Sequence, residues 1–185
     1  MKANPGATFL FPSSREVLRN PDVHFAFRQE SNFFYLTSFE EPESFVVLSP
    51  AADKPSGYRM TMFVRRRDAE KEMWEGERFG IEGAVKVFGA DDAYPIDELD
   101  RRLPELLKGS DRVFYRIGQD EEADRRVMAA LEVYRRSQGR SGKALAPIAD
   151  PNEVIGEMRM FKSQAEIELM RKACQITAAS HKAVM

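Results

Sequence analysis

A hydrolytic metal centre needs several His, Asp or Glu side chains that converge and leave a coordination position open, and this sequence offers few candidates. Its two histidines, His24 and His181, lie far apart, and neither has a carboxylate or cysteine at metal-ligand spacing. Both read as structural or surface residues. Cys174 and His181 fall on one face of an expected helix, but about 10 Å of helix rise separates them, too far for a nucleophile to hydrogen-bond its base. Gly76, Gly80 and Gly83 have neither the spacing of a phosphate-binding loop nor a strand before them.

Three polar or aromatic groupings remain. Glu40, Glu41 and Glu43 flank Pro42 and could form an acid–base pair, although neighbouring residues of a turn usually point apart, so a charged turn is expected. Arg65-Arg66-Arg67-Asp68 could hold an anion. The plainer expectation is a strand end with solvated arginines and Asp68 capping the next helix. Trp74, the only tryptophan, sits among charges in Glu72-Met73-Trp74-Glu75-Gly76-Glu77-Arg78. Pattern alone leaves open whether it is a core residue or an exposed anchor for a partner or ligand.

The elements that must position these residues alternate. Short apolar runs at 8–11, 44–48, 58–64 and 111–117 are expected strands, the second and third being an antiparallel pair across a long loop. Helical patterns span 68–74, 81–88, 96–107 and 120–136. The last has acids in its first turn and Arg135 and Arg136 at its end, which suits the helix dipole. The fold class is therefore α/β, with a mixed β-sheet flanked by helices. Residues 141–151 read as a loop or linker. Ser163-Gln164-Ala165-Glu166 is a capping box that starts a further helix.

That helix keeps its apolar pattern to Met185. The expected division is a domain over 1–161 and, over 162–185, the first helix of a second domain that continues elsewhere; without that domain the helix is expected to fray or to pack on another copy. At 185 residues with 31% charged and 43% hydrophobic residues and a net charge of −2, the composition is globular. No basic stripe points to nucleic acid, and no apolar stretch approaches a membrane span. One cysteine and the lack of a secretory pattern at the amino terminus suit a reducing, cytoplasmic setting.

The run Phe27-Arg28-Gln29-Glu30-Ser31-Asn32-Phe33-Phe34-Tyr35-Leu36-Thr37-Ser38-Phe39-Glu40-Glu41-Pro42-Glu43 resembles the signature of the amino-terminal domain of the aminopeptidase P family. Phe63-Val64-Arg65-Arg66-Arg67-Asp68 with Trp74, and Glu157-Met158-Arg159-Met160-Phe161-Lys162-Ser163, resemble later segments in the family's order. The resemblance implies a mixed-sheet domain with a ribonuclease H-like motif. It implies a full enzyme, a metallopeptidase that removes an amino-terminal residue preceding proline with two manganese ions (Mn2+) in a "pita-bread" catalytic domain. The metal ligands would lie outside this segment, as would all catalytic residues.

For the present domain the resemblance implies packing on its own carboxy-terminal catalytic domain, a homo-oligomer, and substrates with proline at the second position. It also implies that Trp74 reaches from one subunit to the substrate pocket of another. Two departures stand out: Ser38 replaces the family's usual glycine, and Asn152 stands where some relatives carry an arginine near the substrate cleft. Two alternatives are the corresponding domain of a prolidase, which cleaves Xaa-Pro dipeptides, and a non-enzymatic relative that keeps the scaffold for protein binding.

Overall fold

The structure, a computed structural model, describes residues 4–139 and 146–185. These fall into two compact units, Met1–Asp150 and Pro151–Met185. Along the first come β1 (Ala7–Pro12), a hairpin of β2 (Leu18–Asn20) and β3 (Val23–His24), α1 (Ser31–Thr37), β4 (Phe45–Pro50), β5 (Tyr58–Val64), α2 (Ala69–Glu75) and α3 (Gly80–Lys86). Then follow β6 (Asp92–Pro95), a 3-10 turn (Ile96–Glu98) running into α4 (Leu99–Leu106), β7 (Arg112–Phe114), α5 (Glu121–Ser137) and β8 (Ile148–Ala149).

Six strands form one sheet in the order β6-β5-β4-β1-β7-β8. Only β4 runs against the rest: it is antiparallel to β1 and β5, whereas β1–β7, β7–β8 and β5–β6 are parallel. The mixed sheet flanked by helices is therefore as expected. Its central strand β1 is apolar on both faces, as a strand covered on both sides must be. Leu10 joins Val47, Phe63 and Val113 beneath α4 and α5, which contribute Leu99, Leu103, Val127 and Leu131. Phe9 and Phe11 point the other way by the period-two alternation of a strand, and Phe9 stacks on Phe114 with 4.4 Å between ring centroids. On that side α1 and α3 add buried Phe33 and Ala84.

The four expected strands and the helices around 68–74, 81–88, 96–107 and 120–136 are all present, with ends shifted by a few residues. Four strands had no counterpart among the expected elements: β2 and β3 of the short hairpin, and β6 and β8 of the main sheet. β6 ends on Pro95, which a sheet tolerates at an edge. β8 corrects the expectation of a loop over 141–151, since Ile148 and Ala149 pair with Val113 and Phe114; residues 141–145 lie outside those described. Helix α1 was also missed, because Phe33, Phe34, Tyr35 and Thr37 favour strands by composition. Its start is imposed instead by the Glu30 carboxylate, which accepts from the backbone N–H groups of Asn32 and Phe33 at 2.7 and 2.8 Å.

Two polar ties fix the connections. The buried Gln29 amide accepts at Oε1 from the backbone of Ser14 and Glu30 (2.8 and 2.9 Å) and donates from Nε2 to the carbonyls of Phe39 and Glu41 (3.1 and 3.0 Å). On the far side of the sheet the Tyr115 hydroxyl donates to Asp124 Oδ1 at 2.6 Å while Gly118 N–H donates to Oδ2 at 2.9 Å. This pins the β7–α5 loop. Burial, followed by the hydrogen bond to Asp124, pushes the Tyr115 hydroxyl well above its usual range.

The second unit consists of α6 (Asn152–Met160) and α7 (Gln164–Val184). Both halves of the capping box exist: Glu166 N–H donates to Ser163 Oγ at 3.3 Å, and Ser163 N–H donates to Glu166 Oε2 at 2.7 Å. Helix α6 had no counterpart among the expected elements. No described helix is long and apolar enough to cross a membrane.

Ser38 caps α1 in the left-handed region at φ 55°, its N–H donating to Phe34 O at 2.7 Å, and a side chain there is strained where glycine is not. Ser38→Gly is expected to stabilise the fold by about 1 kcal/mol, read as a higher denaturant midpoint; a lower midpoint would contradict the assignment of strain. Gln29→Glu would set a carboxylate oxygen against two buried carbonyls that need a donor. A loss of about 3 kcal/mol is expected, and an unchanged midpoint would mean that the amide is not the tie described.

Candidate functional site

Because all strands but β4 run the same way, the carboxyl ends of β1, β5 and β6 collect on one edge of the sheet beside the start of β4. In open α/β sheets this is the edge where ligands bind. Two clefts open along it. One, of about 540 Å3, lies over Ser13, Arg15, Glu43, Ser44, Asp120 and Arg126. The other, of about 370 Å3, is lined by Arg65, Arg66, Arg67, Lys71, Glu75 and Arg78. Glu16, Glu43 and Ile96 border both.

Several of the charges lining the first cleft are paired with one another. Arg15 pairs with both Asp120 and Glu122 at the start of α5, and Asp120 also caps that helix by accepting from Ala123 N–H at 2.7 Å. Burial works against ionisation of Asp120, but the hydrogen bonds from Arg15 and Ala123 outweigh it and hold the carboxyl below its ordinary range. Glu43, exposed between the clefts, adopts φ 50°, a left-handed conformation that is uncommon for a residue with a side chain.

The second cleft corrects two expectations. Glu41 is buried rather than a member of a solvated charged turn, and its Oε1 accepts from Phe79 N–H at 2.6 Å. Its Oε2 lies 3.7 Å from Arg65 Nη2. Arg65 is likewise not a solvated strand end, for its side chain is only 13% exposed and its Nη1 lies 3.6 Å from Glu75 Oε2. Arg78 donates to the same Glu75 oxygen and, through Nη1, to the carbonyl of Arg66 at 3.3 Å. Arg67 and Asp68 follow the plainer expectation: Arg67 pairs with Glu72, and Asp68 caps α2 by accepting from the N–H groups of Glu70 and Lys71. Every arginine of the run thus has a carboxylate near it, which argues against a free anion site.

The structure settles the surroundings of Trp74. It stands on α2 with 85% of its surface exposed, next to Met73 at 76%. Exposed aromatic and thioether groups on an otherwise charged helix offer large apolar area to a partner or ligand. The histidines are not brought together: His24 is exposed on β3 and His181 on α7. Among the described residues no group of three or more His, Cys, Asp or Glu side chains is placed to hold a metal ion, so these described side chains do not fit a hydrolytic metal pair.

Sequence reasoning passed over Glu41 and Arg78 as buried partners. A signal existed for Glu41, since Phe39 and Ser44, which are buried, flank it two and three positions away. Glu41→Ala would leave the Phe79 N–H without its acceptor and the Arg65 guanidinium with Glu75 as its remaining carboxylate. The expected cost is about 3 kcal/mol, read by thermal or chemical denaturation, with Glu41→Gln intermediate because it keeps an acceptor for Phe79. A loss too small to measure would show that the pair is not coupled to folding. The hydrogen bond from Arg78 holds the Glu75 carboxyl below its ordinary range. With the folded value depressed, its stabilising contribution is present above the ordinary carboxylate range and fades as pH falls through the lowered value.

Comparison with known proteins gives this arrangement its context. The family model described as "Aminopeptidase P, N-terminal domain" matches residues 1–115. Xaa-Pro aminopeptidase of Escherichia coli is 37% identical over 181 residues, covering 98% of this chain and 41% of that protein. Human Xaa-Pro aminopeptidase 3 is 32% identical over 170 residues, covering 88% of this chain and 32% of that protein. The low-pH form of aminopeptidase P from E. coli superposes with a TM-score of 0.86 at 37% identity, covering 96% of this chain and 40% of that one. Proline aminopeptidase P II from Yersinia pestis gives 0.86 at 36% identity, with 97% and 41% covered. The chain therefore spans about two fifths of the length of its bacterial relatives. On the family match, the shared fold and the order of its segments, the chain belongs to the aminopeptidase P family and carries that family's amino-terminal domain.

Proposed function

We propose that this chain is the amino-terminal part of an Xaa-Pro aminopeptidase, a hydrolase that removes the residue preceding a proline from the amino terminus of a peptide. The observation that carries the reading is the 37% identity extending over 98% of the chain to an E. coli protein named for that activity. In this reading the catalytic domain follows the described segment, α7 being its first helix, and supplies the ligands of two manganese ions. The present domain supplies shape: it docks on that catalytic domain, takes part in a homo-oligomer and narrows access to the substrate. Trp74 is the group proposed to do the narrowing, reaching a neighbouring subunit's pocket. Its exposure supports this, because a tryptophan left in water costs solubility unless something covers it. The single, exposed Cys174 accords with a cytoplasmic setting.

The test is made on the full-length protein loaded with manganese, offered Xaa-Pro-Xaa tripeptides and Xaa-Pro dipeptides. Release of the first residue from tripeptides is expected, with Trp74→Ala raising KM about tenfold, the loss of one aromatic contact. Turnover confined to dipeptides would favour a prolidase instead. Turnover by the 185-residue chain alone would overturn the reading.

A further inference from the structure

Helix α2 carries the most exposed large aromatic of the chain yet buries none of its own residues. The apolar burial that seats α4 and α5 is therefore missing, and polar contacts alone decide how α2 sits. Two of these lie within the segment itself: the Asp68 cap, and Glu72, which accepts from Arg67 Nε and Nη2 at 3.2 and 2.8 Å and from Asp68 N–H at 3.1 Å. They shape the first turns. Only Glu75 ties the carboxyl end, and it does so to fixed points. Arg78, 8% exposed, hydrogen-bonds the half-exposed Glu75 carboxylate and the carbonyl of Arg66, two residues beyond β5. Arg65 Nη1 lies 3.6 Å from the same Glu75 oxygen, and its Nη2 lies 3.7 Å from buried Glu41.

We propose that Glu75 and Arg78 are positioning residues that set the direction in which Trp74 projects. The inference rests on the reading of Trp74 as a group that shapes the substrate pocket. Glu75 follows Trp74 directly, so the two side chains leave the helix about 100° apart around its axis. The hydrogen bond from Arg78 to this carboxylate, with the Arg65 guanidinium near the same oxygen, fixes the rotation of the helix and thereby the bearing of the indole. A guanidinium fork suits this task because its donors are held in one plane. Gly76 closes the helix at φ 92°, so beyond Glu75 the backbone turns away at once.

Trp74 is the only tryptophan of the chain, which lets its fluorescence anisotropy report α2 directly. In Glu75→Gln and in Arg78→Met the amides of α2 are expected to exchange about tenfold faster, the loss of one charge-assisted hydrogen bond, while those of β4 and β5 keep their rates. The anisotropy should fall in both variants and recover in Arg78→Lys, which keeps a cationic donor. In the full-length protein Glu75→Gln should raise KM for an Xaa-Pro-Xaa peptide with little change in kcat, and adding Trp74→Ala should raise it no further. Exchange and anisotropy unchanged in both variants would overturn the positioning role. So would acceleration spread evenly over the sheet, which marks a purely structural pair. A normal KM in Trp74→Ala would instead remove the reading of Trp74, a failure told apart because the anisotropy does not depend on turnover.

Discussion

The side-chain amide of Gln29 uses all four of its hydrogen bonds within the protein. That matters because the segments it joins have no ladder of their own. The chain leaving β1 at Ser14, the first residue before α1 and the turn at 39–41 are irregular backbone at the margin of a core. Their polar groups need partners there, and the Glu41 carbonyl has a second one in the Ser44 hydroxyl at 3.0 Å. One amide supplies two donors and two acceptors in a fixed plane, and no apolar residue could replace it. The backbone clasp between Ser13 and Ser44, with Ser13 N–H donating to Ser44 O and Ser44 N–H to Ser13 Oγ, completes the junction where β1 ends and β4 begins.

From that junction a continuous chain of polar contacts runs to the surface. Gln29 holds the Glu41 carbonyl, and the Glu41 carboxylate holds Phe79 N–H and faces Arg65. Arg65 and Arg78 then meet at Glu75, the neighbour of Trp74. Each link has discrete geometry, which is what transmitting a position requires. Such networks are poor sources of stability, since removing buried charges from water costs about as much as their attraction returns. Their use here is orientation. Glu41 Oε2 and the Nε atoms of Arg65 and Arg78 are buried without a hydrogen bond, so the network is held by the surrounding fold rather than being its optimum.

How far the sequence disclosed this differs by scale. The central strand, the β4–β5 pair, α5 and the capping box at Ser163 were legible because each is a local pattern: a period, a pair of turn signals, charges matched to a dipole. Helix α1 was not, because its residues prefer strands and the deciding group, Glu30, lies outside the run. β6 and β8 are edge strands of four and two residues, too short to show a period. At the site, the exposed position of Trp74 was one of two open readings. The burial of Glu41 and Arg78 was hidden for another reason. A charged residue announces burial only through its partner: for Glu41 these are Arg65 and Phe79, 24 and 38 positions away, and for Arg78 they are the Arg66 carbonyl, 12 away, and Glu75, 3 away.

That distribution gives a physical reason for the segment 27–43, which contains only one short helix, to admit few side chains at its key positions. Regular elements accept many sequences of the right pattern. A junction of irregular backbone accepts few, because each donor has to meet a particular acceptor. Gln29, Glu30 and Glu41 each act on backbone groups, and the buried Phe33 and Phe39 fill the space beneath them. The same demand continues in 65–78, where charges rather than apolar contacts seat α2. Both stretches are therefore expected to tolerate few substitutions, for one physical reason. Polar contacts specify position atom by atom, whereas apolar burial specifies only that a face is covered.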